Sequence, residues 1–162
     1  MTKPTVYVET TVVGYLTARQ QIDAVIAGHQ IATKKWWSTA RDRFDLVVSQ
    51  VVVEECADGD PTAAAERLRA IDGLALVGFS AQVEHLIKEL LDKCALPRTE
   101  PEDAAHIALA AVNSIEYLVT WNLRHIANSV MRRKIEHVIS EAGYQPPVIC
   151  TPEELSEECN VG

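Results

Sequence analysis

The chain has 162 residues, 48% hydrophobic and 23% charged, with a formal charge of −8 at pH 7. This is the composition of one ordinary folded domain and excludes a disordered chain. The acidic balance argues against a protein that coats nucleic acid by bulk attraction. No apolar run nears the roughly 20 residues of a membrane span, and none follows Met1 as a signal peptide would require, so a cytoplasmic protein without a membrane partner is expected.

Residues 5–8 form a short β-rich run that stops at Glu9, and residues 10–16 follow as a helix with Thr10 or Thr11 available to cap it. Between residues 22 and 37 the apolar side chains Ile22, Val25, Ile26, His29, Ile31, Trp36 and Trp37 recur at helical spacing. They predict a long amphipathic helix whose two tryptophans pack against the core. Residues 44–48 are a second strand and 51–57 a helix that stops at the turn Asp58, Gly59, Asp60, Pro61. The next helix covers 61–71 with Pro61 in its first turn, and Asp72 and Gly73 end it. Residues 74–79 are a third strand, after which Ser80 caps a helix to about Cys94.

Thr99, Glu100, Pro101 and Glu102 have the spacing of a capping box, with Thr99 as N-cap and Glu102 reaching back to it. That reading sets Asp103 in the first turn of an alanine-rich helix running to about Val112. Residues 116–120 are a fourth strand, 126–142 mostly helical, and 147–150 a fifth strand before a helix start at Thr151. Strands alternating with helices predict a single-domain three-layer α/β/α fold with a parallel sheet of about five strands. The domain spans 1–150, and 151–162 is an acidic tail packing on it or extending from it.

Glu9, the pair Glu54 and Glu55, Asp103 and Asn122 each stand where a strand stops or a helix begins. In an open parallel sheet the carboxyl ends of the strands share one edge, where ligands bind. Carboxylates gathered there repel one another unless a hard cation neutralises them, and oxygen donors suit Mg²⁺ or Mn²⁺. The pattern points to a metal-dependent phosphodiesterase. Each residue also has an ordinary reading: a first-turn carboxylate for Asp103, a turn residue for Asn122, exposed helix acids for Glu54 and Glu55. His106 reads first as a hydrogen-bonded structural residue, with a site role as the alternative for it and for His125, which beside Arg124 could meet a substrate phosphate.

Cys56, Cys94, Cys150 and Cys159 form no Cys-x-x-Cys pair and are expected as free thiols. Lys34, Lys35, Arg41, Arg43, Arg98, Arg124, Arg132, Arg133 and Lys134 could supply a local basic rim.

With these residues in place the chain resembles the PIN domain, and within it the toxin-like proteins of the VapC type. Glu9 follows the first strand in the run Tyr7, Val8, Glu9, Thr10. A helix glutamate follows the second, Glu55 by the family's register and Glu54 as the alternate. Asp103 opens an alanine-rich helix, and Thr120, Trp121 and Asn122 follow the fourth strand. The resemblance implies a PIN-like fold and a Mg²⁺- or Mn²⁺-dependent endoribonuclease, the toxin of a type II toxin–antitoxin pair. It implies an RNA substrate, a cognate antitoxin protein and a homodimer. Glu9, Glu55, Asp103 and Asn122 would hold the cation and carry catalysis, with Thr120, Arg124 and His125 around the substrate. Glu9 and Asn122 stand where the family usually has aspartates, which leaves at most three carboxylates and favours one tightly held metal. The alternative is a catalytically weakened or inactive PIN-like module that binds RNA or another protein.

Overall fold

The computed structural model describes residues 2–93 and 95–156. In chain order its elements are β1 (Thr5–Val8), α1 (Thr10–Thr17), α2 (Ala24–Arg43), β2 (Asp45–Val48), α3 (Gln50–Ala57), α4 (Pro61–Ile71) and β3 (Ala75–Leu76). There follow α5 (Ala81–Asp92), α6 (Pro101–Val112), β4 (Tyr117–Val119), α7 (Ser129–Glu141), β5 (Val148–Cys150) and α8 (Pro152–Ser156). The strands form one all-parallel sheet in the order β3-β2-β1-β4-β5. The α/β class, the sheet and its strand number are as the sequence predicts.

This order places the site. The chain builds outward from β1 to β2 and β3, then crosses back to β4 on the other side of β1. Parallel crossovers are right-handed, so the reversal sends α5, α6 and α7 to the face opposite α1 to α4. The packing sorts the same way: α5 lies against α6 and α7, while α1 lies against α2, α3 and α4. Covered on both faces, the central strands carry continuous apolar runs, with Val6, Tyr7, Val8, Leu118 and Val119 all fully buried. The strand order reverses between β1 and β4, and open α/β sheets bind ligands outside the carboxyl ends of the strands at such a point.

Four expectations need correction. The box at Thr99 does not form: Glu100 is the N-cap, with no side-chain hydrogen bond, because its N–H closes a turn onto the Pro97 carbonyl and Pro101 starts the helix. Glu102 is then one position short of the reach a capping box needs. The same signature is built at Thr151, whose Oγ1 accepts from Glu154 N at 3.2 Å while Glu154 Oε1 accepts from Thr151 N at 3.3 Å.

The long helix begins two residues late, because the Asp23 carboxylate accepts from both Val25 N and Ile26 N and so caps it. Ile22, Val25 and Ile31 are exposed, and the buried face is Gln30, Thr33, Trp36 and Ala40. The third strand shrinks to an edge pair at β3, and Val77 N still reaches the Val48 carbonyl before the chain leaves at Gly78. The last long helix starts at Ser129, where Asn128 Oδ1 accepts from Val130 N and Met131 N, instead of at residue 126.

Among the described residues Cys56 and Cys150 are buried free thiols, while Cys94, Cys159 and the end of the acidic tail, 157–162, lie outside them. No helix among the described residues is long and apolar enough to cross a membrane.

Candidate metal centre

The site begins where β1 ends. Val8 pairs with Val119, so the next residues, Glu9 and Thr120, leave the sheet side by side. Glu9 is only 4% exposed, yet three donors converge on its carboxylate. Thr11 N, at 3.1 Å, makes Glu9 the N-cap of α1 in place of the expected Thr10 or Thr11, which lie inside the helix. The Thr11 hydroxyl adds a short hydrogen bond, and Thr120 Oγ1 donates from β4's end at 2.6 Å. Burying a polar side chain is costly unless it is hydrogen-bonded, and these three donors meet that need.

From the next strand, Ser49 caps α3 and so fixes the direction in which that helix leaves the edge. Of the adjacent acids on α3, Glu55 turns into the site and Glu54 is exposed. The Glu55 carboxylate accepts from Thr10 Oγ1 at 2.6 Å and lies 2.7 Å from His106 Nε2. Burial alone would raise the Glu55 carboxyl; the His106 hydrogen bond and charge, with the Thr10 hydroxyl, hold it below the ordinary value instead. His106 shows the mirror effect. Its burial would lower it, and the hydrogen bond to Glu55 with the charges of Glu9, Glu55 and Asp103 raises it above 6.5.

The far ring nitrogen, His106 Nδ1, is 2.7 Å from the Tyr7 hydroxyl, which is 2.7 Å from Ser49 Oγ. Burial pushes the Tyr7 phenol far up, so it remains a donor. A chain of polar groups therefore runs from Ser49 under the sheet edge to Glu55, spanning β1, α3 and α6. Glu9, Glu55 and His106 each offer a ligand atom within 4.8 Å of the other two.

The second half of the cluster is Asp103. Its Oδ2 lies 2.9 Å from His125 Nδ1, and its Oδ1 accepts from Asn122 Nδ2 at 3.1 Å. Asn122 Oδ1 is committed to the His125 backbone N–H at 3.1 Å, so the amide orients Asp103 and ties the 122–125 turn together. Asn122 N in turn donates to Thr120 Oγ1 at 2.9 Å, and this hydroxyl links the two halves. Glu100, Asp103 and His125 form the second set of potential ligand atoms within 4.8 Å of one another.

The sequence-derived candidates thus reach one edge, but as two adjoining groups. Glu9 and Glu55 meet in one; Asp103 and Asn122 meet in the other, with His125. Glu54 and Arg124 are exposed. Several members of the expected basic rim are committed elsewhere: Arg41 donates to Ala70 O, Arg43 to Leu155 O, Arg98 to Asp92 and Arg132 to Ile149 O. Sequence reasoning missed the roles of Thr10, Thr11, Tyr7, Ser49 and Glu100. Only for Thr10 and Thr11 was there a local signal, two hydroxyls directly after Glu9 at a helix start.

The donor set fits a divalent cation. Four carboxylates and two imidazoles gather at this edge in two adjoining sets, Glu9 with Glu55 and His106, and Glu100 with Asp103 and His125, where the strand order reverses. Comparison of the chain with family models, with curated proteins and with solved structures gives no match in any of the three.

Proposed function

We propose that this edge holds a divalent cation, Mg²⁺ or Mn²⁺, and that the protein is an endoribonuclease hydrolysing RNA phosphodiester bonds. The observation that carries the reading is the meeting of buried Glu9 with Glu55 and His106 at the carboxyl ends of β1 and β4, with the Asp103 group joined to it through Thr120. The nuclease assignment adds the resemblance of these motifs to PIN domains of the VapC type. On that reading a separate antitoxin chain silences the enzyme, and the active form is a homodimer.

Glu9, Glu55 and Asp103 would hold the cation. When bound it supplies Lewis-acid polarisation of a phosphate oxygen and a lowered pKa for the attacking water. The protein's own work is placement. Thr11 and Thr120 fix the Glu9 oxygens, Thr10 and His106 fix Glu55, and Asn122 with His125 fixes Asp103. Preset ligands spare the site reorganisation during the reaction, which is where electrostatic catalysis gains most. Exposed Arg124, next to His125, is free of the sheet and can meet a substrate phosphate at the rim.

Incubation of the purified chain with single-stranded RNA tests the reading. Cleavage that needs Mg²⁺ or Mn²⁺, stops with chelator and is lost in Asp103→Asn supports it. Cleavage that persists in chelator contradicts it.

A further inference from the structure

We infer that His106 is a nitrogen ligand of the same cation, so that the site takes Mn²⁺ in preference to Mg²⁺. This rests on the cation-site reading above and adds to it a donor that the carboxylate motifs do not contain. His106 is 1% exposed and sits three residues after Asp103, about 60° around the α6 axis from it. Ala104, Ala105 and Ala108 flank it, and their small side chains let α6 lie close to the sheet edge.

Three features of the geometry point the same way. First, a ligand atom of His106 lies within 4.8 Å of one from Glu9 and one from Glu55. Donors bound to one small octahedral cation at about 2.1 Å stand about 3 Å apart when adjacent and about 4.2 Å apart when opposed. Only a small contraction is needed.

Second, the 2.7 Å separation of His106 Nε2 and Glu55 Oε1 is within a few tenths of an ångström of that adjacent spacing. A cation can replace the shared proton there with little movement of either side chain.

Third, the back of the ring is held as a ligating imidazole is held. Metal-binding histidines donate their other N–H to a fixed partner, which sets the tautomer. With Nε2 turned to a cation, Nδ1–H donates to the Tyr7 hydroxyl 2.7 Å away, and Tyr7 donates to Ser49 Oγ at 2.7 Å. Without a cation Nε2–H donates to Glu55 at 2.7 Å, and Nδ1 keeps the Tyr7 hydroxyl as its partner at 2.7 Å. Both ring nitrogens keep a partner in either state. Imidazole is a poor donor for Mg²⁺ and a better one for Mn²⁺ and the later first-row ions, so the selectivity follows from the nitrogen.

The test is pulsed electron paramagnetic resonance of the full chain loaded with Mn²⁺, which detects directly coordinated nitrogen. The wild type should show histidine nitrogen coupled to the ion. His106→Gln should lose that coupling, and His125→Gln should keep it. Tyr7→Phe, which retains the ring and its packing, should keep the coupling while Mn²⁺ affinity falls about 10- to 100-fold, as loss of an outer partner does. In competition, Mg²⁺ should displace Mn²⁺ only in large excess. Bound Mn²⁺ without nitrogen coupling in the wild type overturns the inference and leaves the carboxylate site of the proposed nuclease standing. Coupling that vanishes in His125→Gln instead overturns it equally, and failure to bind Mn²⁺ at all overturns both.

Discussion

Thr120 Oγ1 donates to the Glu9 carboxylate at 2.6 Å and, through the same oxygen, accepts from Asn122 N at 2.9 Å. One hydroxyl thus joins the Glu9–Glu55–His106 half of the site to the Asp103–Asn122–His125 half. Thr120→Val preserves shape and removes the link. A buried carboxylate and a backbone N–H each lose a partner, so the variant should lose about 1–3 kcal/mol in urea unfolding. Its Mn²⁺ affinity, read by calorimetry, should fall as well. An unchanged affinity would mean that the two halves are independent.

Glu54 and Glu55 are neighbours in sequence with opposite surroundings. Glu55→Gln removes a charge held between Thr10 and His106 and should weaken Mn²⁺ binding by tenfold or more. Glu54→Gln alters an exposed side chain and should leave binding within a factor of two. Equal effects in calorimetric titrations would show that only net charge matters.

Asn122→Asp sets a carboxylate against Asp103, at a contact now 3.1 Å long between amide and carboxylate. Without a cation the like charges repel, and the variant should melt several degrees below the wild type. A bound divalent ion relieves that repulsion. Mn²⁺ should therefore raise the melting temperature of the variant by more than it raises that of the wild type. An equal rise in both would remove position 122 from the cation's surroundings.

Trp36 is fully buried on α2, and its Nε1–H lacks a hydrogen-bond partner. Trp36→Phe gives up some contact area but also an unpartnered polar group, whose burial costs about 1–3 kcal/mol. It should destabilise by about 1 kcal/mol or less, whereas Trp36→Ala should cost about 3–5 kcal/mol through the cavity it leaves. Denaturant unfolding of the pair checks the ranking. A phenylalanine variant as damaged as the alanine one would contradict it.

Burial pushes the Cys150 thiol up from 9.0 to about 12. The unfolded chain releases this proton first, so the contribution to stability is intact below pH 9 and falls as the pH rises from 9 toward 12. Between those limits the wild type should lose up to about 1.4 kcal/mol more per pH unit than Cys150→Ala. Parallel unfolding curves for the two across that range would show that the thiol is solvated.

The order of elements was legible because strand and helix periodicities differ and because turns such as Asp58 to Pro61 are sharply marked; α4 has the bounds the sequence predicts. What misled was local chemistry that two positions satisfy equally well. Thr99 and Thr151 both carry the capping-box spacing, and the Pro97–Glu100 turn, which moves the helix start past Thr99, decides between them. Ile22 and Val25 fit a helical stripe, but the helix cap at Asp23 and the position of the sheet leave them outside it. In the site, the strand-end acids announced themselves by position. His106 did not, since its partners, Tyr7, Ser49 and Glu55, lie on elements far away in sequence.

The central claim is a cation site shared by residues remote in sequence and serving RNA cleavage. Its most direct test is Mn²⁺ titration by calorimetry of the wild type, Glu9→Gln and Asp103→Asn, with RNA cleavage measured on the same preparations. Binding in the wild type, loss of it in both folded variants, and cleavage that tracks binding are the predicted results. A folded wild type that binds no Mn²⁺ and cleaves no RNA would contradict the account and leave an α/β domain whose acidic edge serves its own hydrogen bonds.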